Sequence, residues 1–283
     1  MAIITISRGC CSRGQIIAQA VARELNYTCQ DREILVDASQ LFDVSEKKLI
    51  KSLHDAPGII ERIKGGKTKY LKMIQSVLLA HASEDNLVYS GHAGHLLLPP
   101  VRHLLKVRIN VDLEARIQFV QEQKGWNRTR ALEFIKNEDQ HRENWTRYLY
   151  NQDLNDPALY DMVLHIDHLS LDDVVEIICS TALRKSFQAT PESRQTIMDH
   201  AVKAQVELAL DEICEAEVSA REGQVSIRVL SPRIRKTNFI TPKLQDHLDL
   251  TYRDELQQEI LEVTREIPGV KGIVCDIDHL SYA

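Results

Sequence analysis

The sequence predicts an α/β protein: a parallel sheet with helices on both faces, followed by a small α+β module. Three observations lead to this fold class. Apolar strand patterns alternate with helical patterns through residues 1–184, as in βαβ units. A polar stretch that contains a proline interrupts the pattern at 185–196. Beyond it, apolar–polar alternation around a turn indicates a hairpin between two helices.

Short apolar runs predict the strands of the first part, because strands covered on both faces need no polar alternation. Apolar residues at helical spacing predict the segments between them. In chain order, we expect a strand at 2–6, helices at 15–25 and 71–83, strands at 86–90 and 104–109, helices at 113–124 and 129–150, a strand at 162–166 and a helix at 171–183.

The second part is expected to fold separately, after a linker. Residues 185–196 lack apolar periodicity, and we interpret them as that linker. The predicted domains are therefore 1–184 and 197–283. In the second domain we expect a helix at 197–213, a hairpin over 217–229 that turns at Glu222-Gly223, a helix at 252–267 and a strand at 270–277.

The composition narrows the function class. The chain has 283 residues, and its 43% hydrophobic content is ordinary for a globular protein. A net charge of -6 and an aromatic content of 5% argue against a protein that coats nucleic acid. No apolar run approaches the ~18 residues of a membrane span, and no basic leader begins the chain, so we expect a cytoplasmic protein. Six cysteines without C-x-x-C spacing are expected to be reduced thiols. Two H-x-x-H spacings, at 92–95 and 165–168, lack a third ligand, so no metal site is predicted.

The first loop, residues 9–13 between the first predicted strand and helix, carries the strongest functional signal. Such a loop aims backbone N–H groups and a helix N-terminus at one anion. Gly9 and Gly14 have the separation of the two glycines in the phosphate-binding motif G-x-x-x-x-G-K-[ST]. Gln15 stands where that motif has lysine, and Ile16 where it has the magnesium-binding hydroxyl. The spacing alone therefore fits either a phosphate site or a plain strand–turn–helix corner.

Several short stretches follow one another in a family-specific order: ITISR at 4–8, QDREIL at 30–35, VYSGHA at 88–93, LKVRI at 105–109, DxxR at 139–142, DPxxYD at 156–161 and IDHLS at 166–170. In these stretches, residues 1–183 resemble the cytidylate kinase-like branch of the P-loop nucleoside monophosphate kinases. The resemblance implies a parallel sheet, a monophosphate-binding region and a mobile lid. It also implies ATP with magnesium as the phosphate donor.

The resemblance implies that the first loop and its flanks bind the donor phosphates, but the chain departs from the family there. The family usually has more glycine where this chain has Cys11 and Arg13, and commonly a basic residue where it has Gln15. Because glycine lets a backbone approach phosphate closely, we expect these side chains to reshape the cradle. Arg8 or Arg13 could supply the missing cation, and Ser12 is the nearest hydroxyl for magnesium. The expected phosphate-binding residues are Arg8, Gly9, Cys10, Cys11, Ser12, Arg13, Gly14 and Gln15.

The resemblance places the acceptor nucleotide near other segments. We expect Arg32 to hold its phosphate and Asp31 to contact its base, its sugar or a magnesium-bound water, although Asp31 would also cap a helix well. Gly91 and His92 follow a strand, where ligands bind in open α/β sheets, and the imidazole could donate to a phosphate. Asp161 is expected to anchor the lid or to orient substrate; the alternative is a strand-entry turn residue.

Two segments, residues 125–130 and 139–147, form the expected lid. Phosphoryl transfer needs positioning and positive charge more than covalent help from the protein. Asp139 and Arg142 lie three residues apart on one helix face, so we expect them to pair and fix the arginine for a phosphate. Arg128 and Arg147 are the other expected lid arginines. The alternative is a solvated helix with charges along its surface.

Residues 197–283 resemble a BON-type domain, a small α/β module found in binding or regulatory contexts. The resemblance rests on the helix at 202–213, the strands around Gly223 and the ending IPGVKGIV at 267–274. The stretch 228–243 could bind an anionic ligand or form a solvated loop. It holds five basic residues and no acidic one: Arg228, Arg233, Arg235, Lys236 and Lys243.

Two functions therefore stay open from the sequence. The first is an ATP-dependent phosphotransferase of the nucleoside monophosphate (cytidylate) kinase type, with a C-terminal regulatory module. The second is a nucleotide-binding sensor that has lost catalysis, because the loss of a phosphate-binding lysine would weaken transition-state stabilisation. A nucleotide is the expected partner in both, whereas nucleic acid and membrane are not expected.

Overall fold

The computed structural model of the chain describes residues 1–31, 33–54, 66–232 and 242–277. Arg32, predicted to hold the acceptor phosphate, lies outside the described residues. The chain forms two compact units, Met1–Arg194 and Gln195–Ala283, which are described separately below.

The stretch predicted as a linker contains the division between the units, but it has secondary structure of its own. A 3-10 turn covers Lys185–Phe187, and a long helix begins at Pro191. Proline is favoured in the first turn of a helix, where its missing N–H has no partner to lose. The helical start was not predicted because its first residues are polar and give no apolar period.

The first unit contains a parallel sheet in the order β2-β3-β1-β4-β5. Each neighbouring pair is parallel, so the carboxyl ends of the strands meet at one edge of the sheet. The central strand, β1, is buried from Ile3 to Ser7, as expected of a strand covered on both faces. The strands are β1 Ile3–Arg8, β2 Thr28–Gln30, β3 Leu87–Tyr89, β4 Leu104–Val111 and β5 Met162–Ile166.

Helices cover both faces of this sheet, which confirms the predicted fold class. On one face, Ile4 and Ile6 of β1 pack in one apolar cluster with Ile17 and Ile178 from two of the helices. On the other face, Thr5 lies next to a third, short helix. The helices are α1 Gly14–Leu25, α2 Glu33–Leu41, α3 Glu46–His54, α4 Gly66–Ser83, α5 Gly94–Leu97, α6 Leu113–Lys124, α7 Arg128–Tyr150 and α8 Leu171–Ala182.

The differences from the predicted elements have simple causes. The helices α2 and α3 have 9 residues each, which is too short to establish a clear apolar period. The helix α4 begins five positions before its predicted start, because residues 66–70 (GKTKY) are mostly polar. The helix α6 and the strand β5 have the predicted bounds.

The second unit is a small three-stranded sheet with two helices. Strand β6 pairs antiparallel with β7, and β8 pairs parallel with β7. The hairpin turns at Glu222-Gly223, as predicted, and both residues have positive φ (53° and 84°), which a tight two-residue turn requires. Val206, Ile227 and Ile260 form the centre of its core. The elements are α9 Pro191–Leu210, β6 Cys214–Arg221, β7 Gln224–Pro232, α10 Pro242–Arg265 and β8 Gly272–Asp276.

The basic stretch predicted at 228–243 is described only at its ends. Arg228 lies in β7 and forms an ion pair with Glu217 of β6, so one of the five charges is compensated. Lys243 is in the first turn of α10, whereas residues 233–241, which include the other three basic side chains, lie outside the described residues. Among the helices that are described, none combines the length and the apolar character needed to cross a membrane.

Candidate functional site

The first loop leaves the carboxyl end of β1 at the centre of the sheet and leads into α1. Cys11 and Arg13 have left-handed backbone conformations, with φ of 59° and 58°. Glycine adopts this conformation at little cost, and other residues seldom do. Positions 11 and 13, where the family usually has more glycine, therefore keep a backbone conformation typical of glycine although both residues have side chains. Ser12 Oγ donates to the Gly9 carbonyl (3.0 Å) and closes the turn.

Asp139 of α7 holds the first loop through its backbone. Its Oδ1 accepts the N–H of Cys10 (2.8 Å), and its Oδ2 pairs with the guanidinium of Arg116 from α6 (2.5 Å). Arg116 also donates from Nε to the Cys10 carbonyl (2.7 Å). A carboxylate therefore occupies a backbone donor of the loop, as a bound anion would.

The predicted pair between Asp139 and Arg142 is replaced by the pair with Arg116. The cause is tertiary packing: α6 lies against α7 through a small cluster that includes Ile117 and Ile135. This packing brings Arg116, next to Ile117, to the carboxylate. Arg142 instead donates from a terminal nitrogen to the Arg8 carbonyl (3.0 Å).

Arg8, the last residue of β1, connects the first loop to two neighbouring strand ends. Its Nε donates to Ser90 Oγ (3.3 Å), and a terminal nitrogen pairs with Asp31 Oδ2 (3.4 Å). Burial lowers the pKa of this guanidinium, and the charge of Asp31 opposes that effect. Asp31 therefore contacts a cation of the site through its side chain, and α2 begins two residues later, at Glu33.

An open cavity of about 240 Å³ lies beside the first loop, at the carboxyl edge of the sheet. Its walls carry both arginines and carboxylates, so a charged ligand would meet groups of both signs. Five of the predicted site residues line it: Arg8, Gly9, Ser12, Asp139 and Arg142.

The cavity also has lining residues that the sequence analysis missed, and Arg108 of β4 is the most informative. It donates to Ser7 Oγ (3.1 Å) and Asn110 Oδ1 (3.2 Å), and it lies 6.0 Å from the centre of the Tyr160 ring. An arginine inside an apolar strand, two positions before an asparagine on the same face, is the signal that could have found it. The missed lining residues with polar side chains are Arg108, Asn110, Arg116, Glu143 and Asn155.

Two predicted phosphate-binding side chains of the loop region lie elsewhere. The exposed Arg13 stacks over Phe119, with 5.5 Å between the guanidinium carbon and the ring centre. Gln15, the second residue of α1, is exposed. Of the two arginines expected to supply the missing cation, Arg8 thus lines the cavity and Arg13 does not. Gly14 contributes by its lack of a side chain, because a Cβ there would lie 2.2 Å from Arg8 Cδ.

Three further predicted residues are outside the cavity lining. Arg128 pairs with Glu114 on the surface (2.5 Å), and Arg147 is exposed near the end of α7. Asp161 exchanges two hydrogen bonds with the backbone of Lys106: its carboxylate accepts the Lys106 N–H (2.8 Å), and its own N–H donates to the Lys106 carbonyl (2.9 Å). Asp161 thus extends the β4–β5 ladder, in agreement with the strand-entry alternative.

The second loop, residues 90–93 between β3 and α5, is closely packed. A Cβ added to Gly91 would lie only 2.1 Å from the hydroxyl oxygen of Tyr89. The ring of His92 meets the buried ring of Trp145 edge-on, with 4.4 Å between their centres. Both predicted acceptor residues of this loop therefore make packing contacts, and neither lines the cavity beside the first loop.

Within the described residues, no group of three or more His, Cys, Asp or Glu side chains is placed so that it could hold a metal ion. Asp139 and Glu143, which line the cavity, are nevertheless oxygen donors of the kind that Mg²⁺ prefers.

Residues 3–168 match the model of the cytidylate kinase-like family. A cytidylate kinase from Sulfurisphaera tokodaii is 27% identical over 38% of this chain and 59% of that protein. One from Pyrobaculum calidifontis is 30% identical over 39% of this chain and 59% of that protein. The chain thus spans about three fifths of the length of these two cytidylate kinases. An uncharacterized protein from Eubacterium ventriosum has the same fold, with a TM-score of 0.51 and 17% identity over 64% of this chain and 97% of that chain. Because the family model covers more than half of the sequence, this chain belongs to the cytidylate kinase-like family.

Proposed function

We propose that this chain is an ATP-dependent phosphotransferase of the nucleoside monophosphate kinase type, whose donor phosphates bind at the first loop. The observation that carries this proposal is the convergence of four arginines, Arg8, Arg108, Arg116 and Arg142, on one cavity beside that loop. Phosphoryl transfer depends on positioning and on positive charge around the moving group, and arginines supply both.

The arginines have the preorganisation that such a role needs. Arg116 and Arg142 each donate to a backbone carbonyl at or beside the loop, which fixes their planar groups before a ligand arrives. A guanidinium has five N–H donors, so these bonds leave others for phosphate oxygens. In this proposal, the fixed arginines replace the lysine that is absent at Gln15.

The acceptor would be a pyrimidine nucleoside monophosphate near Asp31, which the resemblance assigned to the acceptor side and which pairs with Arg8. Magnesium bound to the triphosphate would meet Asp139 and Glu143, and it would neutralise developing charge on the phosphates. The C-terminal unit would act as a regulatory module of the BON type.

A nucleotide-binding sensor without turnover is the second candidate, and one contact favours it. The Asp139 carboxylate occupies the Cys10 N–H, which a donor phosphate would have to take over. A protein in which that exchange is incomplete would bind nucleotides and transfer no phosphoryl group.

The test is phosphoryl transfer from ATP to CMP, dCMP or UMP by the full chain, alongside thermal shifts with each nucleotide. Turnover with one of these acceptors supports the kinase, whereas stabilisation without turnover supports the sensor. Arg142→Ala should abolish either response. The matched control is Arg23→Ala, which removes an exposed arginine from the last turn of α1. Neither turnover nor stabilisation by any nucleotide would contradict both candidates.

A further inference from the structure

Two neighbouring thiols lie within the first loop. The sulfur atoms of Cys10 and Cys11 are 3.2 Å apart and share a hydrogen bond. Cys10 is buried, with 6% of its surface exposed, whereas Cys11 is partly exposed. A small reagent entering from solvent therefore meets Cys11 first, with a second thiol already in contact behind it.

Position and exposure divide the two thiols into an attacking thiol and a resolving thiol. Cys11 is the partly exposed one, and the buried Cys10 sulfur lies in contact with it, at the distance from which it can attack an oxidised Cys11. The hydrogen bond from Cys10, with the charges of Arg116, Lys124 and Arg142, lowers the pKa of Cys11 against burial, which favours the thiolate form that attacks electrophiles. The same hydrogen bond, together with burial, raises the pKa of Cys10.

The chain provides internal controls for this reactivity. Cys29 of β2 is also partly exposed, but burial raises its pKa to about 11. Burial likewise raises the pKa of Cys179 to about 11. Reactivity of the loop pair can therefore be compared with ordinary thiols in the same molecule.

We propose that Cys10 and Cys11 form an oxidation site for hydroperoxides, which convert the pair into a disulfide between adjacent residues. The Cys11 thiolate attacks one oxygen of the hydroperoxide, so an S–O bond forms, the O–O bond breaks, and the other oxygen leaves and takes up a proton as an alcohol or water. Cys10 then attacks the Cys11 sulfenic acid, so an S–S bond forms, the S–O bond breaks, and water leaves with the Cys10 proton. In sum, two thiols lose two hydrogens, and the hydroperoxide is reduced.

Adjacent cysteines make this a reversible modification. Their Cα atoms are about 3.8 Å apart across one trans peptide, below the usual disulfide range of roughly 4.4–6.8 Å. Such a bond is strained and easily reduced, which is the property of labile rather than structural disulfides.

The modification also acts on the proposed nucleotide site. The Cys10 N–H donates to Asp139, and the Cys10 carbonyl accepts from Arg116. Formation of the disulfide closes a small ring through the backbone between Cys10 and Cys11, so it must reorient the peptide groups that make these two hydrogen bonds. We expect the disulfide form to lose nucleotide binding. This consequence rests on the proposed function, whereas formation of the disulfide does not.

The experiment treats the reduced full chain with hydrogen peroxide near neutral pH, then alkylates and maps the cysteines by mass spectrometry. The expected product has lost two hydrogens through a bond between Cys10 and Cys11, while Cys29 stays reduced, and dithiothreitol reverses it. The loop pair should be oxidised at a lower peroxide dose than Cys29, because Cys11 is partly exposed and has a second thiol in contact with it. Oxidation of Cys29 at the same dose as the pair, or oxidation of Cys11 that stops short of the 10–11 bond, would overturn the proposal.

Two variants separate the steps. Cys10→Ser should stop at the Cys11 sulfenic acid, which dimedone traps, and Cys11→Ser should leave Cys10 as unreactive as Cys29. A Cys10→Ser protein that gives no dimedone adduct contradicts the assigned order. These oxidation and trapping readouts use no nucleotide, so they do not depend on the proposed function. Conversely, phosphoryl transfer by the reduced wild type does not depend on formation of the disulfide.

Discussion

The first and second loops follow adjacent strands of the same sheet, yet their surroundings differ. The first loop has charged neighbours: Asp139 and Arg116 bind its backbone, and an open cavity lies beside it. The second loop has packed neighbours, the rings of Tyr89 and Trp145. The same topological position therefore supports a ligand site in one case and a structural contact in the other.

The difference indicates how function is divided at this edge of the sheet. At the first loop, side-chain changes should affect ligand binding more than folding, since the contacts there are polar and border a cavity. At the second loop, they should affect folding more than binding, because ring contacts would be lost or compressed.

Arg116→Ala removes a cation of the first loop and leaves the Asp139 carboxylate without its charged partner. We expect kcat/KM for phosphoryl transfer to fall on the order of 100-fold, comparable to removing one donor from a transition-state site. Steady-state kinetics against wild type and Arg23→Ala would measure this. An Arg116→Ala protein with wild-type kinetics would mean that the charged cavity has no part in transfer.

Gly91→Ala in the second loop should lower the free energy of unfolding by about 1–3 kcal/mol, the usual cost of overpacking. The new Cβ would lie 2.1 Å from the Tyr89 hydroxyl oxygen, and that ring is buried. The matched variant in the first loop is Gly9→Ala, whose Cβ would have guanidinium atoms of Arg116 as its nearest neighbours, at 3.3 Å, so a shift of a few tenths of an ångström would relieve the contact. In urea denaturation, the free energy of unfolding of Gly9→Ala should be close to that of wild type. Equal losses of stability in both variants would contradict the proposed difference between the two loops.

His95, in the short helix after the second loop, makes stability depend on pH. Burial, with smaller contributions from Arg108 and Lys106, lowers its pKa from 6.5 to about 4. The folded state then binds fewer protons than the unfolded state between these values, so stability is complete above pH 6.5 and falls as the pH drops towards 4.

The loss attributable to His95 should reach about 2 kcal/mol at pH 5, at about 1.4 kcal/mol for each pH unit below 6.5. His95→Asn should lose less stability than wild type over the same pH range, as measured by denaturation at each pH. The control is His168→Asn, at a fully exposed ring. Identical pH profiles for wild type and His95→Asn would contradict the burial of this imidazole.

Gln15→Lys should strengthen the first loop modestly. The first turn of α1 carries no acidic residue that would compete for a lysine at position 15, and the guanidinium of Arg13 is stacked on Phe119. We expect triphosphate binding to tighten several-fold and monophosphate binding to change less, because the charge acts on the donor phosphates. Calorimetric titration of both nucleotides would measure the difference. Weaker binding would indicate that Arg13 already fills this space.

The sequence allowed the fold class and part of the site to be predicted, for identifiable reasons. The helix α6 and strand β5 were found because their apolar patterns are local, and Arg8, Asp139 and Arg142 because they lie in stretches typical of the family. Arg116 was missed, and Asp139 was given the wrong partner, since helix spacing reports only neighbours on the same helix. The true partner lies 23 positions away and is brought in by packing between α6 and α7.

The most direct test of the central claim, that nucleotide phosphates bind at the first loop, is to follow backbone amide resonances during titration with ADP and magnesium. The amides of Gly9, Cys10 and Gly14 should shift saturably as phosphate replaces the Asp139 carboxylate, while that of Gly94 beside the second loop should stay in place. Saturable shifts at Gly94 with none at Cys10 would contradict the account.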